Sequence, residues 1–120
     1  MIKTIGRSLA AACGAVLLLA GGQAMAHAKL LDASPAADAT VAAPTQIVLH
    51  FSEKLEPKFS GFEVASGGAQ AAVKTSLGKD HKTLVGVASK PLAAGAYQVT
   101  WHAVSADGHR MQGSYTFTVR

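Results

Sequence analysis

Short runs of alternating apolar and polar residues, separated by turn residues, constrain the fold of this chain more than any other feature. In the clearest run, 96–104, every second residue would lie on one face of a strand, because side chains in a strand alternate with a period of two. That set comprises Tyr97, Val99, Trp101 and Ala103. Further runs span 30–31, 47–52, 62–65, 71–75, 83–88 and 114–119, and of these the run 71–75 is weak. About seven short strands without a convincing amphipathic helix predict an all-β domain, either an antiparallel β-sandwich or a small Greek-key barrel.

The first 26 residues have the organisation of a secretory signal. Lys3 and Arg7 precede an uninterrupted apolar run, 9–20, and the segment Ala24-Met25-Ala26 carries small residues where a signal peptidase cleaves. The apolar run is shorter than the roughly 20 residues that a membrane-spanning helix needs. We therefore expect a cleaved Sec-type signal peptide at 1–26 and one mature domain at 27–120, with no membrane insertion of the mature chain.

The composition of the mature domain excludes several kinds of chemistry. The only cysteine, Cys13, lies in the apolar run, so the mature domain has no disulfide and no thiolate nucleophile or metal ligand. Removing Lys3 and Arg7 from the 11 basic residues leaves nine, against seven acidic residues, which is a net charge of +2. No basic stripe with interleaved aromatic residues is present, and nucleic acid is therefore not an expected partner.

His27 becomes the first residue if cleavage follows Ala26. An N-terminal histidine offers its free α-amine and its imidazole, which together form a bidentate chelate for one metal ion. An α-amine ordinarily has a pKa of about 7.7–8.0, so that a metal ion can displace its proton near neutral pH. One extra residue ahead of His27 would turn this amine into an amide and remove the chelate.

The tripeptide Asp107-Gly108-His109 offers the second half of a metal site. In an extended chain, the side chains of Asp107 and His109 would project to the same side, and Gly108 would let the backbone bend. Taken alone, such a tripeptide is common in ordinary turns. Joined to the amine and imidazole of His27, it gives three nitrogens and one oxygen, which suit tetragonal coordination of Cu(II).

The chain resembles the copper-resistance CopC family over residues 27–120. Three segments carry the resemblance: HAKLLDASPAADATV, IVLHFSEKLEP and LAAGAYQVTWHAVSADGHRMQGSYTFTV. The resemblance implies an immunoglobulin-like Greek-key β-sandwich that carries copper in the periplasm and is not an enzyme. It implies one Cu(II) per chain, bound by His27, Asp107 and His109. It also implies that Glu53 either neighbours these ligands or binds weakly from the axial direction, and that an inner-membrane CopD-type copper transport protein is a partner.

The methionine content departs from that of many members of this family, which bind Cu(I) in a methionine-rich loop. Thioether sulfur is the soft ligand that Cu(I) prefers. Met1 and Met25 precede the expected cleavage site, so Met111 is the only methionine of the mature domain. The corresponding segment, 76–85, contains His81 and no sulfur. We therefore expect a member that binds Cu(II) only.

Two other functions remain open from the sequence. A histidine-brace copper oxidase or monooxygenase would also begin with a metal-binding histidine, but Asp107 would fill the equatorial position that oxygen activation needs. An immunoglobulin-like interaction module without a metal would give the N-terminal amine no role. The other histidines do not favour a second site, because His50 and His102 alternate with apolar residues and should face outward, and His81 should lie in a solvated loop.

Overall fold

Nine strands and one short 3-10 helix make up residues 28–120, the part of the chain that the computed structural model describes. The strands are β1 (Leu30–Ser34), β2 (Thr40–Val41), β3 (Gln46–Phe51), β4 (Gly61–Ser66), β5 (Ala69–Gln70), β6 (Val73–Leu77), β7 (Thr83–Ala88), β8 (Gly95–Val104) and β9 (Arg110–Val119), and the 3-10 helix is Pro57–Phe59. The expected signal peptide and His27 lie outside the described residues. Within those residues, no helix is long and apolar enough to cross a membrane.

The strands form two sheets that do not close into a barrel. One sheet has the order β1-β3-β7-β6 and is antiparallel throughout. The other has the order β2-β9-β8-β4-β5, in which only the β2–β9 pair is parallel. The predicted immunoglobulin-like Greek-key sandwich is therefore confirmed, and the barrel alternative was wrong.

The predicted strands are present, with differences in number and length. The weak run 71–75 is displaced, because the strand there is Val73–Leu77, and the last strand begins at Arg110 rather than at 114. The count of about seven was wrong because β2 and β5 have two residues each, which is too short for alternation to be recognised.

The core lies between the facing sides of the two sheets. All four residues of the alternating set in β8 are buried, with 0–8% of their surface exposed. Phe51 of β3 meets Trp101 edge-on, with ring centroids 5.2 Å apart, so that an aromatic contact joins the sheets. His50 and His102 are exposed, as their positions in the alternation predicted.

Gly86 marks a close approach between the sheets. It lies in the middle of β7, between Ile47 and Thr75 on the neighbouring strands. A Cβ atom there would lie 2.4 Å from Cζ of Phe62 and 2.6 Å from Cγ1 of Val73. The core can therefore close at this point only around a residue without a side chain.

We expect Gly86→Ala to lower the free energy of unfolding by about 1–3 kcal/mol, because the added methyl group overpacks the core. Urea denaturation followed by tryptophan fluorescence measures this change. Gly61→Ala is the matched control: it is also a buried strand glycine without a positive φ, but its Cβ would meet nothing closer than 3.6 Å. The control should leave stability unchanged or raise it by up to about 1 kcal/mol. Equal losses in both variants would contradict the packing argument.

Candidate metal centre

The Asp107-Gly108-His109 tripeptide forms a tight turn between β8 and β9. The backbone N–H of Gly108 donates to the carbonyl of Ser105 at 2.8 Å, and the N–H of Ser105 donates to the carbonyl of His109 at 2.9 Å. Gly108 has a φ of +93°, which glycine adopts readily and other residues rarely do. The expectation of an extended chain here was wrong, and the turn brings the two flanking side chains together instead.

The Asp107 carboxylate is held from two sides. Its Oδ2 lies 3.0 Å from Nδ1 of His109, and both side chains are about half exposed. The hydroxyl of Ser105, which belongs to a buried residue, donates to Oδ1 in a short hydrogen bond. The hydrogen bond from Ser105, followed by that from His109, lowers the pKa of Asp107 to about 2. The carboxylate is therefore ionised at any pH near neutrality, as a metal ligand must be.

The contact with Asp107 also determines which ring nitrogen of His109 can bind a metal. When Nδ1 carries the proton, it donates to Oδ2 of Asp107, and the lone pair of the ring is on Nε2. A neutral imidazole in this form is the usual histidine ligand, and a carboxylate that accepts from the other nitrogen orients the ring. The turn therefore holds an anionic oxygen and an oriented ring nitrogen together, both of which are candidate ligands.

Sequence reasoning missed the role of Ser105. Its side chain contacts the Asp107 carboxylate and also lies 3.3 Å from the carbonyl oxygen of His109. A serine two residues before an aspartate in a turn is a recognisable signal for such side-chain hydrogen bonding. This residue was part of the motif that carried the family resemblance, but nothing in the spacing showed that its hydroxyl would be buried.

A cleft of about 370 Å³ is lined by both Glu53 and Asp107. Its walls come from the two segments 52–54 and 105–107, together with Lys82. Backbone hydrogen bonds join these segments: Ala106 N–H donates to the carbonyl of Lys54 at 2.9 Å, and the adjacent pair Leu55 and Ser105 forms a β-bridge. Residues far apart in the sequence therefore present two carboxylates to one opening.

The start of the described chain is anchored at the same cleft. Ala28 is fully buried in the core. The N–H of Lys29 donates to Oγ of Ser52, and the N–H of Ser52 donates to the carbonyl of Lys29, both at 2.9 Å. Ser52 lines the cleft next to Glu53. The residue bonded to Ala28, His27, lies outside the described part of the chain.

Residues 28–120 do not contain a complete metal site. Within this range, no group of three or more His, Cys, Asp or Glu side chains could hold an ion. His50 is engaged elsewhere, because its Nδ1 lies 3.0 Å from Oγ1 of Thr83, and His102 is exposed on β8. Asp107 and His109 are the two side chains of the predicted ligand set that the described residues bring together.

Comparison with known proteins gives consistent results. A family model described as the CopC domain matches residues 30–120. The chain is 41% identical over 116 residues to copper resistance protein C of Escherichia coli, covering 89% of this chain and 92% of that one. It is 43% identical to copper resistance protein C of Pseudomonas syringae pv. tomato, covering 86% and 88%. The crystal structure of PcoC, a methionine-rich copper resistance protein from Escherichia coli, superposes with a TM-score of 0.74 and 44% identity, covering 79% of this chain and all of that one.

We expect Ser105→Ala to raise the pKa of Asp107 in the metal-free protein, because the largest stabiliser of its ionised form is lost. Titration of the carboxyl carbon by NMR, with a chelator present, measures this value. In the unaltered protein it should lie at about 2. Ser66→Ala, which removes a hydroxyl bonded to the carbonyl of Ala96, is the control and should leave it there. An unchanged Asp107 pKa in Ser105→Ala would show that this hydroxyl does not hold the carboxylate.

Proposed function

The chain belongs to the CopC family of copper resistance proteins, and we propose that it binds one Cu(II) per chain in the periplasm through His27, Asp107 and His109. Copper binding as such follows from membership of the family. The observation that supports this particular site is that the anchored chain start and the Asp107-Gly108-His109 turn are both connected to one cleft, the first through Ser52 and the second through Asp107.

The geometry of the chain supports the participation of His27. Consecutive Cα atoms are about 3.8 Å apart, so a buried residue next to the proposed ligand limits how far the proposed chelate could be from the cleft. Ala28 is that buried residue, and Lys29 is fixed to Ser52 by two hydrogen bonds. Cleavage of a signal peptide at 1–26 would give His27 the free amine that the chelate requires. Export and metal binding are thereby coupled, because the unprocessed chain lacks this ligand.

The proposed donor set suits Cu(II). Two nitrogens from His27, one from His109 and one oxygen from Asp107 form a tetragonal set, and copper leads the Irving–Williams series for such ligands. The Asp107 carboxylate cancels one of the two positive charges of the ion. Glu53, which opens onto the same cleft, would cancel the second charge, either as a weak axial ligand or from a short distance.

We propose that this protein binds copper only as Cu(II). The crystallised Escherichia coli relative is described as methionine-rich, whereas the mature domain here has the single methionine Met111. That side chain is partly buried and packs against the hydrophobic core. One thioether in this position does not provide the several soft ligands that a Cu(I) site needs.

The role that fits this site is capture and delivery of copper rather than catalysis. Asp107, fixed by Ser105 and His109, would occupy the equatorial position that a histidine-brace oxidase keeps open for oxygen. Release of the ion would be driven by protons, which compete for the amine and the imidazoles. An inner-membrane CopD-type copper transport protein is the partner that we propose for delivery.

We expect the Cu(II)-loaded protein to show an electron paramagnetic resonance spectrum of three nitrogens and one oxygen. In His109→Ala one nitrogen coupling should be lost, and in Asp107→Asn the nitrogen couplings should remain while affinity falls, because only the anionic oxygen is altered. His50→Ala is the matched control, since that histidine is exposed on another strand and should leave the spectrum unchanged. A spectrum altered by His50→Ala but not by His109→Ala would refute the site.

We expect copper affinity to fall as the pH drops below about 6, because protons then compete for the nitrogen ligands. Asp107 cannot cause this loss: its lowered pKa, about 2, keeps it ionised throughout that range. Competition titrations with a chromogenic chelator at several pH values measure the effect. Asp107→Asn should weaken binding at every pH, but the fall below about pH 6 should remain because the nitrogen ligands are still present. An affinity that is independent of pH between 5 and 7 would contradict nitrogen ligation.

A further inference from the structure

A groove lies next to the turn that carries the proposed copper ligands. It has a volume of about 570 Å³ and lies where the 3-10 helix meets the β8–β9 hairpin. The residues that determine its chemistry are Lys58, Phe59, His102, Arg110 and Met111. None of them belongs to the proposed copper site.

The groove carries a local concentration of positive charge. Lys58 and Arg110 line it together with the titratable ring of His102, and no aspartate or glutamate is among the lining residues. None of the ion pairs formed within residues 28–120 involves Lys58 or Arg110. The whole mature domain has a net charge of only +2, so this grouping does not reflect a generally basic surface. Such a groove is electrostatically complementary to an acidic occupant.

The groove also offers an apolar contact. Phe59 is 57% exposed at the end of the 3-10 helix, which is unusual for a large aromatic side chain in a small domain. Met111 lines the groove and packs against the core. A partially exposed aromatic residue in a groove that is also lined by Lys58 and Arg110 has the composition of an interface anchor with a polar rim. An occupant that carries carboxylates as well as an apolar side chain would contact the cationic residues and Phe59 together. A simple inorganic anion would leave Phe59 uncovered.

The groove is rigidly connected to the turn that holds the proposed copper ligands. Arg110 follows His109 directly in the chain. On the other side, Ser60, the residue after the 3-10 helix, accepts a hydrogen bond through its hydroxyl from the N–H of Val104 at 3.0 Å. A molecule bound in the groove would therefore lie beside the copper site without covering its ligands.

We propose that this groove docks an acidic segment of the protein that exchanges copper with this one. The segment would present carboxylates to Lys58 and Arg110 and an apolar side chain to Phe59. The assignment to a copper-exchanging partner rests on the proposed function, whereas the affinity of the groove for an acidic segment does not. Electrostatic attraction would raise the rate of encounter and orient the partner towards the cleft.

The test uses the ¹⁵N-labelled exported protein and a blocked hexapeptide of four glutamates, one leucine and one phenylalanine. At low ionic strength we expect saturable shifts of the amide signals of residues 58–59, 102–104 and 110–112. Lys58→Glu should weaken binding about threefold to tenfold, as reversal of one exposed charge does. Lys74→Glu, which makes the same charge change on β6, outside the groove, is the control and should leave it unchanged. Raising the salt concentration should also weaken binding, because it screens exposed charges.

Several results would overturn the proposal. One is that the amide shifts are absent or map to other residues. Another is that Lys58→Glu binds the peptide as tightly as the unaltered protein does. The third is that a peptide with glutamines in place of the glutamates binds as tightly as the acidic peptide. Saturable shifts of the same signals with inorganic phosphate at equal ionic strength would assign the groove to small anions instead. Electron paramagnetic resonance of the unaltered protein with copper, recorded beside its peptide titration, separates the two proposals. Peptide binding without copper binding would refute the copper site alone, and copper binding without peptide binding would refute the docking groove alone.

Discussion

The backbone pairing between the segment after β3 and the end of β8 is the interaction on which the candidate site depends. Leu55 and Ser105 form a β-bridge, and the flanking hydrogen bonds run from Ala106 to Lys54 and from Glu56 to Val104. Leu55 is buried, so core packing stabilises this pairing as well. Since each strand belongs to a different sheet, the pairing joins the two sheets at the end of the sandwich where the proposed ligands lie. Without it, Glu53 and Asp107 would not share a cleft.

The turn adds what the pairing does not provide, namely the orientation of the side chains. A buried hydroxyl, an ionised carboxylate and an imidazole follow one another from Ser105 to His109, and each fixes the next. Fixed ligands reduce the ordering that metal binding would otherwise require. The same turn starts β9, and through Arg110 it connects the proposed copper site with the basic groove. The two sides of the turn thus differ in charge: the cleft is lined by Glu53 and Asp107 together with lysines, whereas no carboxylate lines the groove.

Much of the fold could be predicted from the sequence because β8 and its neighbours bury one face and expose the other. That constraint gives the sequence an apolar–polar alternation with a period of two. The alternation correctly placed Trp101 in the core and His102 on the surface. The two-residue strands could not be found, since their pairing depends on neighbours rather than on their own pattern. The candidate site was harder to predict from the sequence than the fold was. The spacing of Asp107 and His109 suggested that their side chains act together. The reason given was wrong, because Gly108 turns the chain, whereas the prediction assumed an extended one. The approach of Glu53 to Asp107 depends on tertiary pairing, and only the family resemblance pointed to it.

The most direct test of the account compares the Cu(II) affinity of the protein that begins at His27 with that of the same protein acetylated at its α-amine. The fold and every described residue are the same in both proteins, and only the free amine of His27 is lost. We expect a loss of affinity greater than the roughly 10- to 100-fold that follows from removing a neighbour of a metal ligand, with one nitrogen fewer around the ion. Equal affinities in the two proteins would show that the N-terminal chelate does not bind the copper and would contradict the proposed site.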